Sequence, residues 1–150
     1  MGAELDTAKF LWDIFKDGAK LNTSSTTVSV VPKGSAVADV PGWQGPVSYP
    51  EKYQELSFLF QSNICDFTLT PTWQYNGQYI ANFTVLVDGT LDVLSSLDVK
   101  ASTNEASYDG DDIVELPYQI DVMFHNVTGG TKNTTFRGIA RGDGGGRDVG

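Results

Sequence analysis

The chain carries one histidine, His125, and one cysteine, Cys65, in 150 residues. Histidine and cysteine do much of the nucleophilic and proton-transfer chemistry of proteins near neutral pH, so a single copy of each leaves few ways to assemble a catalytic dyad. His125 closes an apolar run beside Asn126, and Cys65 alternates with apolar neighbours. Those are the positions of a strand-end histidine and a small core filler. No two of the nineteen acidic residues stand out by spacing as the carboxylate pair of a glycosidase. The expectation is a protein that binds or assembles and is not an enzyme.

Three groups of residues have types and spacing suited to binding. Trp73, Tyr75 and Tyr79 flank Asn76-Gly77, and Trp43 stands on a proline-rich stretch. Aromatic faces stack on a sugar ring while amides such as Asn76 supply donors and acceptors. The same residues also describe an ordinary hairpin with cross-strand aromatic pairs. Asp109, Asp111 and Asp112 put hard oxygen ligands on one turn, the chemistry of a calcium site, although the alternate spacing of an EF-hand loop is missing. A solvated turn has the same composition. Calcium is the one cofactor this pattern suggests. Finally, Leu5, Leu11, Trp12 and Phe15 belong to an apolar stripe that suits a membrane interface or a partner. Arg141-Gly142-Asp143 is the adhesive tripeptide of integrin ligands, and N-x-S/T triplets occur at Asn22, Asn82, Asn126 and Asn133, an outcome common in Thr-rich strands.

Charge narrows the partners. Ten basic against nineteen acidic residues give a net charge of -9, which opposes nucleic acid and anionic membranes. A glycan, another neutral ligand or a zwitterionic membrane is not disfavoured. One cysteine makes no internal disulfide, so the redox compartment stays open, and a secreted or surface-associated setting is the expectation. Lys9, Asp13, Lys16 and Asp17 interrupt the N-terminal apolar residues, so residues 1–20 hold no long apolar run and are not expected to act as a signal peptide.

The elements that must position these residues read mainly as strands. Leu5, Ala8, Trp12 and Phe15 recur at spacings of three and four, which predicts an amphipathic helix over 4–16; Asp17-Gly18 offers a hairpin as the competing reading. Strands are expected over 26–31, 56–60, 64–70, 78–87, 91–99, 113–127 and 134–140. Four prolines over 32–53 predict a long irregular connection. Asp88-Gly89 predicts a turn joining 78–87 and 91–99 as a hairpin, and Pro117 places the long strand 113–127 near a sheet edge. The architecture expected is an antiparallel β-sandwich of about seven or eight strands over 1–141 with a short N-terminal helix, followed by a flexible glycine-rich tail over 142–150.

An N-terminal amphipathic segment ahead of a compact β-sandwich with aromatics resembles, in outline, the actinoporin type of pore former. That resemblance implies a first helix that detaches and inserts into a membrane. The acidity of this chain departs from the basic character of that family. Three functions therefore stand side by side: a non-enzymatic, lectin-like recognition module, a membrane-active protein using the N-terminal segment, and a subunit of a homo-oligomer joined through the 113–127 strand and the Trp43 loop.

Overall fold

The computed structural model describes residues 5–14, 20–56, 63–109, 112–127 and 130–149, with the backbone alone described over 5–14 and 20–27. These residues form β1 (Leu5–Ile14), β2 (Lys20–Pro32), β3 (Gln44–Ser48), β4 (Glu51–Leu56), β5 (Asn63–Tyr75), β6 (Ile80–Leu91), β7 (Ser95–Thr103), β8 (Ser107–Tyr108), β9 (Val114–Asn126), β10 (Gly130–Arg141) and β11 (Gly146–Asp148), plus one 3-10 turn over Val37–Asp39. The protein is mainly β, and its strands are hydrogen-bonded along the path β11-β10-β9-β7-β2-β6-β5-β3.

Strand β2 is where that path folds into two layers. Its first half, Lys20–Ser24, runs parallel to β7, while Val28 and Val30 pair antiparallel with β6. One layer holds β7 to β11 and the other β3 to β6, and their inner faces meet as in a sandwich. Alternation fills that interface. On β9 the residues Val114, Leu116, Ile120, Val122 and Phe124 are buried, and on β5 so are Cys65, Phe67, Leu69 and Trp73. Burying each side chain of this size contributes roughly 1.5–3 kcal/mol. Tyr118 of β9 lies against Phe83 of β6 with ring centroids 5.2 Å apart, and the Lys132 ammonium reaches across to Glu55 at 2.9 Å.

Several sequence expectations are corrected. No helix forms over the described part of 4–16: β1 pairs antiparallel with β2 from Leu5↔Pro32 to Ile14↔Thr23. The apolar spacing there is met by a partner strand rich in β-branched residues, a better match to strand than to helix. Leu5, Leu11 and Trp12 are therefore strand positions, and Phe15 lies outside the described residues. Asp88-Gly89 is not a turn. The strand continues to Leu91 and turns at Asp92, where the Asp92 carboxylate accepts the Leu94 N–H and the Asp92 carbonyl the Ser95 N–H. Gly89 faces Phe67 across the ladder, and a Cβ there would fall 2.7 Å from the Phe67 Cα, so the glycine serves a close strand approach. The expected hairpin accordingly does not pair; β6 joins β5 and β2, and β7 joins β2 and β9.

The strand over 114–126 is central, not an edge, with β10 on one side and β7 and β8 on the other. Pro117 is accommodated because β7 ends opposite Tyr118 and β8 begins opposite Glu115, which leaves Pro117 between them. The proline-rich stretch is not wholly irregular, since β3 and the start of β4 fall within it. Nor is 142–149 a loose tail: Arg141 to Gly145 form a turn, and β11 pairs with Gly138 to Ala140. Of the expected strand 56–60, residues 57–60 lie outside the described residues.

Candidate functional site

The five aromatic and amide residues selected from the sequence are used for architecture. Trp73 is 1% exposed, so it is core and not a stacking platform. Its indole N–H donates to the Arg141 carbonyl at 2.9 Å, and its ring lies between Tyr49, stacked at 5.2 Å and 14°, and Phe83. Asn76 shapes the β5–β6 turn: its carbonyl oxygen accepts the Gln78 and Tyr79 N–H groups at 2.9 and 2.7 Å, and its amide nitrogen donates to Pro41. Tyr79 meets Tyr108 edge-on at 6.5 Å. Tyr75 lies beneath Gly144, where a Cβ would fall 2.9 Å from the ring. Trp43 is half-buried and donates to the Val37 carbonyl at 3.0 Å, which ties the proline-rich connection to its own 3-10 turn.

The acidic turn has a different occupation from the one expected. Asp109 binds the Arg141 guanidinium at 2.8 Å, and its other oxygen accepts the Ile113 N–H at 3.2 Å. Asp112 follows in a left-handed backbone conformation, φ 61°, and Asp111 lies outside the described residues. Among the described residues no group of three or more His, Cys, Asp or Glu side chains converges as a metal site. Arg141 is enclosed by Asp109, Glu115 at 2.6 Å and Asp143 at 3.4 Å, so the Arg-Gly-Asp triplet is bonded inward and to itself. Bonding to Asp143 foremost, then to Asp109 and Glu115, holds the guanidinium firmly protonated. The sequons diverge too: Asn126 is buried against Ser95, while Asn82 and Asn133 are exposed.

What the fold brings together lies elsewhere, along the open side where the short edge strands of the two layers face each other. A cleft of about 260 Å³ is lined by Ser48 to Glu51 from the β3–β4 connection, Tyr118 from β9, and Gly146 to Asp148 from β11. Each wall has a local cause. Tyr49 is fixed by the Trp73 face, by donation of its backbone N–H to Pro71 and by donation of its hydroxyl to the Gly144 carbonyl at 2.8 Å, yet it remains 37% exposed. Tyr118 occupies the space that a side chain at Gly138 would need, since a Cβ there would fall 2.2 Å from the phenol oxygen.

Electrostatics set this cleft apart from the aromatic end. Partial burial, and then the charge of Asp148, hold the Glu51 carboxyl above the usual carboxylate range. Burial pushes the Tyr118 phenol up to about 12, with Glu51, Asp148 and Tyr49 adding to the shift, so it is a hydroxyl donor at neutral pH. Arg147 is largely exposed, with its guanidinium 3.9 Å from Glu115. Glu51, Asp148, Tyr118, Ser48 and Arg147 thus line the cleft beside the Tyr49 ring, with the Ser48 hydroxyl donating to the Thr72 hydroxyl at 3.4 Å. The volume is just below the 300 Å³ at which sites for drug-sized ligands begin. By contrast Cys65 is buried, its thiol pushed up to about 12 chiefly by that burial, and His125 sits on the outer face of β9 with its Nδ1 2.9 Å from the Thr131 hydroxyl.

Sequence reasoning missed every residue of this cleft because they come from three distant segments with no shared motif. The one available signal was the tyrosine and acid together in Tyr49-Pro50-Glu51. Fold and site define a mainly β domain with a small cleft, part polar and part apolar, between two layer edges. No family model, curated protein or solved structure matches this chain.

Proposed function

We propose that this domain is a non-enzymatic recognition module whose open-edge cleft takes a neutral, polyhydroxylated ligand of carbohydrate type, one sugar ring at a time. The observation that carries this reading is the convergence of Tyr49, Glu51, Tyr118, Arg147 and Asp148 around a cleft of about 260 Å³. Vicinal hydroxyls donate well to carboxylates and accept from guanidinium and phenol groups, and a tyrosine ring covers the apolar face of a sugar. A neutral ligand also suits a chain of net charge -9. A secreted or surface-associated setting accords with such a ligand. The pore-forming reading depended on an N-terminal helix and is set aside with it.

The test is binding to a glycan array, followed by calorimetry on any ligand found. Glu51→Gln and Arg147→Ala weaken binding by about tenfold or more, on the scale of one charge-assisted hydrogen bond. Trp43→Ala, outside the cleft, leaves it unchanged. Release of reducing ends from a bound oligosaccharide would overturn the non-enzymatic reading and make Glu51 and Asp148 a catalytic pair.

A further inference from the structure

The sheet edges of this molecule are unequal. The edge strands β3, β4, β8 and β11 are five, six, two and three residues long, β3 contains Pro46, and β4 carries Glu51, Lys52 and Glu55. Short length, proline and charge are the usual ways of blunting an edge against other chains. Strand β1 has none of the first two: it is ten residues long, has no proline, and among the described residues pairs with β2 alone. Its other edge presents backbone donors and acceptors that another strand can take up.

We propose that β1 is the surface through which two copies of this chain associate, their β1 strands running antiparallel about a two-fold axis at Leu11. A symmetric antiparallel pair requires a strand to complement its own reverse. The charged positions of β1 are Asp6, Lys9 and Asp13, and only two registers set unlike charges opposite each other. One pairs Leu5 to Phe10 and places Asp6 opposite Lys9; the other pairs the longer stretch Ala8 to Ile14. In that longer register Lys9 stands opposite Asp13 twice, Phe10 opposite Trp12 twice, and Leu11 opposite its own copy. Aromatic and opposite-charge cross-strand pairs are the stabilising kinds. The register that would pair all ten residues sets Asp6 against Asp13 and is disfavoured. This surface differs from the 113–127 strand and the Trp43 loop, of which the first is central in the sheet and the second is tied down internally. It is also independent of the cleft, whose ligand binding can fail or succeed without it.

The experiment is sedimentation velocity on the full chain over a range of concentrations at about 0.15 M salt, where charge repulsion between acidic copies is screened within about 8 Å. The wild type forms a dimer. Lys9→Asp raises the dissociation constant about tenfold, because two attractive cross-strand pairs become repulsive, and Lys9→Asp combined with Asp13→Lys restores it. Leu11→Cys cross-links under mild oxidation, while Thr7→Cys, outside the paired stretch, does not; native Cys65, 1% exposed, takes no part. If Lys9→Asp fails to fold by circular dichroism, the Leu11→Cys and Thr7→Cys pair decides. A monomer at every concentration, or a dimer that Leu11→Cys fails to cross-link, overturns the proposal.

Discussion

The aromatic end of the sandwich and the cleft on its open side contain the same kinds of residue in opposite conditions. At the aromatic end, around Trp73, Asn76 and Arg141, indole, amide and guanidinium groups are spent on the protein's own carbonyls and carboxylates. In the cleft, partial burial first and the charge of Asp148 second hold Glu51 above its ordinary range. Polar groups satisfied internally fix geometry, whereas like charges kept near one another in a partly buried cleft are relieved by a ligand that donates to them. On the proposed reading, the internally bonded aromatic end serves architecture and the cleft serves the ligand.

Breaking the architectural side gives the largest effects. Trp73→Ala removes the largest fully buried side chain among the described residues together with its bond to Arg141, and a loss of about 3–5 kcal/mol in urea unfolding is expected. Next comes Gly142→Ala, which forces a Cβ to 2.0 Å from the Gln78 carbonyl oxygen; thermal unfolding should register about 1–3 kcal/mol. Arg141→Met keeps the stem but leaves Asp109, Glu115 and Asp143 facing one another. Its destabilisation should be greatest at neutral pH and shrink as pH falls through the lowered range of Asp143, whose carboxyl the Gly145 N–H and the guanidinium hold below the usual value.

On the cleft side the effect on stability is small and opposite in sign. Glu51 has a raised value in the folded state, so its proton-linked stabilisation is present below the ordinary carboxylate range and lost as pH rises through the raised value. Above that raised range its charge stands beside that of Asp148. Glu51→Gln should therefore raise the melting temperature by about 1–2 °C at pH 7, with no gain at pH 3, while ligand affinity falls. A loss of stability on this substitution would show that Glu51 supports the fold as the groups of the aromatic end do.

The sequence carried the fold class and the inner faces well, because alternation over β9, from Val114 to Phe124, and over β5, from Cys65 to Trp73, has one physical meaning in a half-buried strand. It failed where one local signal has two causes. Leu5, Ala8 and Trp12 fit helical spacing, but Ala8, Phe10, Trp12 and Ile14 also alternate, and only the long-range pairing with β2 decides between the two. Asp88-Gly89 has the composition of a turn and serves a close approach to Phe67. The glycines after Arg141 look like a tail because the ring of Tyr75, which requires Gly144, is distant in sequence. The cleft was illegible for the same reason: β3, β9 and β11 meet only when the layers close.

The central claim is that binding occurs at the open edge and not at the aromatic end. The most direct measurement is a backbone amide chemical-shift titration with a panel of mono- and disaccharides, since every amide reports its own surroundings. The expected shifts are confined to Tyr49 and Glu51, Tyr118 and Gly146 to Asp148. Shifts centred on Trp43, Asn76 and Tyr79, or none with any sugar, would contradict it.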